Sequence, residues 1–292
     1  MVFPSATSHS AIEQVFPDVF MVYGSVKMAP MMIIPRNMVI LREEGHLTLI
    51  NAVRLSDQGE KDLLSLGVID NVVRISYFHA MDDAYYLDTY PNALYWSIEG
   101  VKPRHQEIVN HFICQGSMLP IEHARLFDFK GGPLSESILI LEPQWTGDKG
   151  AVLISGDALL NLCNFDGMSY LGAIVSACFG FMTPIQPGPG WLMMQRKAQA
   201  KEGGLLTLDE DYARLLDDAT WTFVLPAHGP PDLDGQARIR LLHSLNKTFG
   251  IERERRVLGK TRHCQPVWRF CMWMVAVALW CFIAHLYLSS AL

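Results

Sequence analysis

The chain has 292 residues and half of them are apolar, which is material for one large domain or two small ones. Its net charge is only −6 with both signs interspersed, so the basic face of a nucleic-acid binder is not expected. Six cysteines, at 114, 163, 178, 264, 271 and 281, contain no Cys-x-x-Cys pair, which excludes a zinc finger, a redox motif and a disulfide scaffold and suits reduced thiols.

In chain order, MVFPSATSHSAIEQVF lacks a positive start and a long apolar core, so no secretory signal is expected and residues 1–14 read as a tail. VFMVYGSVKM, MMIIPRNMVILREE and HLTLINAV then read as strands, broken at Gly24-Ser25, Pro35-Arg36-Asn37 and Glu44-Gly45. Ser56 offers an N-cap to a short helix that Gly67 stops. NVVRISYF is a further strand leading into His79, followed by a short helix in DDAYYLDTY and a short strand in ALYWS. Residues from Lys102 to Cys114 read as a helix. ARLFDF and SILILEP read as a strand pair joined by Lys130-Gly131-Gly132-Pro133, with AVLISGD as another strand. TLDEDYARLLDDAT is a helix whose acidic start suits its dipole, WTFVLPAHG is the last strand, and LDGQARIRLLHSLNKTF is the last helix of the globular part.

Two segments stand apart from this rhythm. Residues 163–204 form an apolar insertion rich in small residues, read as a packed helix with a pocket lid or a membrane-facing patch as alternatives. Phe270 to Leu288 is a nineteen-residue apolar run interrupted only by His285, which at ~1.5 Å per residue spans about 28 Å, close to the hydrocarbon core of a bilayer. A basic linker, 251–269, precedes it with Arg253, Arg255, Arg256, Lys260, Arg262 and Arg269. The expectation is a single-pass C-terminal transmembrane helix with the globular domain in the cytoplasm. A buried C-terminal core helix is the rival.

Four strand ends carry the chemistry: LTLIN ending at Asn51, FHAMDD at 78–83, LISGD at 153–157 and LPAHG at 225–229. Strands that discharge His and Asp at their C-terminal ends are how a rigid sheet builds a metal or catalytic site. Taken singly, each has a plainer reading: His79 as a structural histidine, Asp83 as a helix cap, Asp157 as turn chemistry and His228 as a loop residue.

The order and context of these stretches resemble the metallo-β-lactamase fold over residues 15–245. That resemblance implies an α+β chain folded as an αββα four-layer sandwich. It also implies one or two metal ions, usually zinc, held by a His-x-His-x-Asp-His motif, two later histidines and an aspartate. Carried over by position, His79 matches the first His and Asp83 the Asp, while Met81 and Ala84 stand where the other two histidines belong. Asp157 matches the later aspartate and His228 the final histidine. Gly132 falls at the remaining His position, and Asn51 where an aspartate commonly orients the site.

His79, Asp83, Asp157 and His228 are therefore the expected metal ligands, for zinc or another divalent ion, with one ion rather than two. Asp82 and Asp83 are the expected acid/base residues. His105, His111 and His123 show no spacing that would make them replacement ligands, and Trp191, Met193 and Met194 read as core. The leading expectation is a membrane-tethered hydrolase acting on a small or lipophilic substrate, with residues 15–250 as its domain. An inert scaffold of the same fold and a metal-free acid/base enzyme with 168–194 as its lid are the rivals.

Overall fold

The computed structural model describes residues 3–101, 108–178 and 180–250. Eleven strands build two sheets. The first contains β1 (Glu13–Phe16), β2 (Val19–Ala29), β3 (Met32–Glu43), β4 (His46–Ile50), β5 (Val68–Arg74), β6 (Leu94–Ile98) and β7 (His111–Ile113), side by side in sequence order. Its first four strands are antiparallel, and β4 to β7 run parallel. In the second sheet, β8 (Ala124–Phe129), β9 (Glu136–Leu141) and β10 (Ala151–Ser155) are antiparallel neighbours, and β11 (Trp221–Pro226) lies parallel to β10.

Side-chain alternation sorts the strands into layers, because successive residues of a strand point to opposite faces. Val39 and Leu41 of β3, Leu139 and Leu141 of β9, and Val152 and Ile154 of β10 fill a common core between the sheets. Their neighbours point outward. Met38 and Ile40 meet Leu63 of α1 (Asp57–Leu66) and Tyr86 of α2 (Asp83–Thr89). Ile138, Ile140 and Leu153 meet Trp191 of α4 (Pro189–Glu202), Leu215 of α5 (Leu208–Asp217) and Leu241 of α6 (Ala237–Phe249). Helix, sheet, sheet, helix is thus the observed order of layers. A short helix, α3 (Tyr170–Cys178), lies against β3 near the tip of the β2–β3 hairpin.

Most sequence-read elements stand where expected, with Ser56 capping α1 by accepting the Gly59 N–H. Gly67 ends that helix in extended backbone, and its role is spatial, since a Cβ there would lie 2.1 Å from the Gly45 carbonyl oxygen. The helix expected from Lys102 to Cys114 is corrected. Residues 102–107 lie outside the described residues, and 111–113 form β7, the edge strand beside β6. Asn110 accepts the Tyr95 N–H through its side chain, and the His111 ring stacks on Trp96 at 4.0 Å, so pairing along β6 outweighs the local helical pattern. Residues before β1 run along β2, with the Ser10 N–H donating to the Tyr23 carbonyl. Among the described residues no helix is long and apolar enough to cross a membrane, and the run from Phe270 to Leu288 lies outside them.

Candidate metal centre

Three strand ends converge at one edge of the sandwich. His79 follows β5 of the first sheet, while Asp157 follows β10 and His228 follows β11 of the second. The three ligand atoms form a compact triangle. His79 Nε2 and His228 Nε2 are 3.1 Å apart, and Asp157 Oδ1 lies 3.5 Å from the first and 3.3 Å from the second. Among the described residues these side chains form a group able to hold a metal ion, and both histidines are buried.

The turn carrying Asp157 is fixed by a residue that sequence reasoning did not single out. Glu136, at the start of β9, is buried and accepts four hydrogen bonds. They come from Ser76 Oγ at 2.7 Å, the Tyr77 N–H at 3.3 Å, the Asp157 N–H at 2.7 Å and the Ala158 N–H at 3.2 Å. One carboxylate thereby ties the segment after β5 to the turn after β10. Gly156 makes the approach possible, since a Cβ there would sit 2.6 Å from Glu136 Oε1. Burial, followed by the charge of Asp157, pushes the Glu136 carboxyl up to about 8.

Strand β3 clamps the loop carrying His228. The Asn37 N–H donates to the Ala227 carbonyl, and its side-chain amide donates to Pro226 and Gly229 at 2.9 and 2.6 Å. His228 Nδ1 lies 2.6 Å from the Pro35 carbonyl oxygen, which can only accept, so Nδ1 carries a proton and donates it. In the neutral ring, Nε2 is then a bare lone pair aimed at His79 and Asp157, with tautomer and orientation set as metal-ligating histidines require. His79 has no such support: its Nδ1 is buried without a partner among the described residues.

These residues suit a single divalent ion. Two imidazole nitrogens and one carboxylate oxygen form a donor set of catalytic zinc sites, which leave a fourth position open. An ion ~2.0–2.1 Å from each donor in tetrahedral geometry holds its ligands about 3.3–3.4 Å apart, and the triangle observed here has edges of 3.1 to 3.5 Å. Electrostatics follow the geometry. Burial pushes the Asp157 carboxyl up, but with the rings protonated the charges and hydrogen bonds of His79 and His228 outweigh it and hold the group well below the usual carboxylate range. Burial lowers the His79 imidazole, against the pull of Asp157, and so favours the neutral ring that a ligand needs.

Two expected site residues are not brought into the group. Asp83 is the first residue of α2, buried, with its Oδ2 accepting the Tyr95 hydroxyl at 2.7 Å. Burial pushes it up to about 6, against the Tyr95 hydrogen bond and the charge of Arg74. Asp82 is paired with the buried Arg36 guanidinium at 2.7 Å and also accepts the Arg54 N–H. The Asp82 carboxylate is thus engaged by Arg36 and Arg54 and the Asp83 carboxyl by Tyr95, and neither stands with His79, Asp157 and His228 as the sequence reading expects. The other substituted positions are closed as well. A Cβ on Gly132 would lie 2.5 Å from Oε1 of buried Gln195, which exchanges two hydrogen bonds with the Leu134 backbone. Met81 is exposed, Ala84 is buried, and the Asn51 amide donates to the Ser155 carbonyl at 3.3 Å. His111 and His123 lie outside the group, and His105 outside the described residues.

An αββα sandwich with His and Asp side chains gathered at strand ends defines a recognisable architectural class. No family model and no curated protein matches the chain. Solved structures do. The structure of VMB-1 at pH 5.5 aligns with a TM-score of 0.53 at 12% identity, covering 84% of this chain and all of that one. The DIM-1 metallo-β-lactamase exposed to ceftazidime aligns with a TM-score of 0.52 at 11% identity, again covering 84% of this chain and 100% of that one. The chain has the metallo-β-lactamase fold.

Proposed function

We propose that the protein is a metal-dependent hydrolase, tethered to a membrane, whose site holds one divalent ion through His79, Asp157 and His228 and acts on a small or lipophilic substrate. The observation that carries this reading is the triangle of two Nε2 atoms and one Oδ1 with edges of 3.1 to 3.5 Å. The fold favours the same chemistry, since DIM-1 is named a metallo-β-lactamase. The tether rests on the apolar run from Phe270 to Leu288 behind its basic linker.

Zinc or a similar ion at such a site would supply Lewis acidity and render a water nucleophilic near neutral pH. The chain's own residues do the rest. Pro35 fixes the His228 tautomer, Glu136 holds the turn that presents Asp157, and Asn37 anchors the loop behind His228. Asp82 is paired with Arg36 and stands outside the group. Among the described residues a second ion has no evident ligand set, because Met81, Ala84 and Gly132 offer none and Asp83 is turned to Tyr95.

Metal analysis of the full chain after zinc loading tests the reading. One equivalent is expected, and it is lost in Asp157→Ala and in His228→Ala, together with any hydrolysis of lipophilic ester or amide probes. A chain that takes up no metal under any loading condition sinks the proposal.

A further inference from the structure

The helix α3 is built inside out. Its sequence, YLGAIVSAC, has no charged residue, yet its buried positions are the small ones, Gly172 and Ser176. Tyr170 and Leu171 face solvent at 68% and 38% exposure. A surface helix ordinarily turns its large apolar residues to the core and its polar residues outward.

The reason lies in how α3 is seated. Ser169 Oγ donates to the Met31 carbonyl and accepts the Ile33 N–H, and the Ser169 N–H donates to the Ile33 carbonyl. Gly172 lies so close that a Cβ would come within 2.2 Å of the Ile33 oxygen. Small residues are needed for that contact, which locks the helix onto the tip of the β2–β3 hairpin. The hairpin tip adds Met28 and Met31, at 60% and 78% exposure, and Ile33. Phe165, in the loop before the helix, is exposed too. Lys27 and Asp166 are the charges that neighbour these residues in sequence. Contiguous exposed apolar surface of this kind marks an interaction site.

We infer that this face, with Met28, Met31, Ile33, Tyr170 and Leu171 at its centre, enters the interface of a lipid bilayer and turns the metal centre's mouth toward it. The inference rests on the tether in the reading above and not on the metal. The chain beyond the described residues names the occupant. After Gly250 come the basic linker of nineteen residues, 251–269, and then the bilayer-length apolar run. Nineteen residues reach at most about 65 Å, more than the ~45 Å width of a globular domain of this size, so the linker leaves room for this face to meet the membrane. The geometry also links face to site. Ile33 at the patch is two residues from Pro35, whose carbonyl fixes His228. A site opening at the membrane surface takes its substrate from the lipid phase, so the substrate class is a lipophilic ester or amide.

The test uses the full chain in phosphatidylcholine–phosphatidylserine vesicles that contain a phosphatidylcholine with a photoactivatable acyl chain. Mass spectrometry of the irradiated protein should find lipid adducts on peptides spanning 28–33 and 165–171, as well as in 264–292. The double variant Met31→Asp/Leu171→Asp, changed only at exposed positions, should lose the first two sets, keep the third and melt at the parent temperature. Adducts confined to 264–292 would overturn the inference and leave the tether standing. Chemical cross-links joining 28–33 to 270–288 in the lipid-free chain would assign the face to the protein's own segment and also overturn it. Failure to sediment with vesicles removes both tether and face. A chain without metal that still gives the adducts sinks only the metal reading.

Discussion

His228 donates one ring nitrogen to Pro35 and aims the other at Asp157, while Asp83, four positions after His79, gives its carboxyl to Tyr95 instead. The two aspartates after His79 thus have structural duties that can be measured. Burial raises the folded-state pKa of Asp83 from 3.8 to about 6. A raised carboxyl contributes stability that is complete below its unfolded pKa and is lost as pH rises through its folded one. Asp83→Asn removes that titration and keeps a partner for Tyr95. The variant should therefore gain on the parent between pH 4 and 6, reaching at most about 3 kcal/mol above pH 6, by urea denaturation at a series of pH values. Asp82→Ala strands the buried Arg36 guanidinium and should cost about 3 kcal/mol, with metal content unchanged. Loss of metal in that variant would return Asp82 to the site. His79, Asp157 and His228 were legible in the sequence because each ends an apolar strand. Glu136 was not, since it only opens β9 just past a glycine turn, and its four donors come from segments far apart in the chain.

Among the elements, β3 does most to shape the site. Its Pro35-Arg36-Asn37 stretch reads as a break in a strand, and the structure shows it as the continuous section that grips both His-bearing loops. The loop from Pro226 to Gly229 is held from the other side by Asn161, whose N–H donates to the His228 carbonyl. Gly229 is required there, with φ at 89° and a would-be Cβ 2.0 Å from the Asn161 oxygen. Gly229→Ala should destabilise the chain by about 2–4 kcal/mol and weaken metal binding, measured by thermal melting and by chelator competition. A melting temperature equal to the parent's would mean the loop is looser than described. Strands were legible as apolar runs between turn residues, as in β9 and β10, whose alternate residues fill different cores and so are apolar throughout. The stretch from 111 to 113 was not, because three residues carry no period and their place is decided by β6 beside them.

At the scale of the whole molecule, the centre joins the two sheets: His79 comes from the first, Asp157 and His228 from the second. An ion held by all three cross-links the halves and stabilises the fold by mass action, about 2.7 kcal/mol at a hundredfold excess of free metal over Kd. Melting temperature should rise with zinc, fall back with chelator, and respond to neither in Asp157→Ala. Two sheets with helices packed outside could be read from the order of strands and helices, and the αββα class from the resemblance, whereas the number of ions depends on atoms meeting across sheets, which no local pattern records. Zinc K-edge X-ray absorption of the loaded chain tests the central claim most directly. One zinc with two imidazole nitrogens and a carboxylate oxygen at ~2.0–2.2 Å is the predicted result, with no metal–metal scattering near ~3.5–4 Å. A metal–metal vector in that range, or an imidazole count unchanged in His228→Ala, would contradict it.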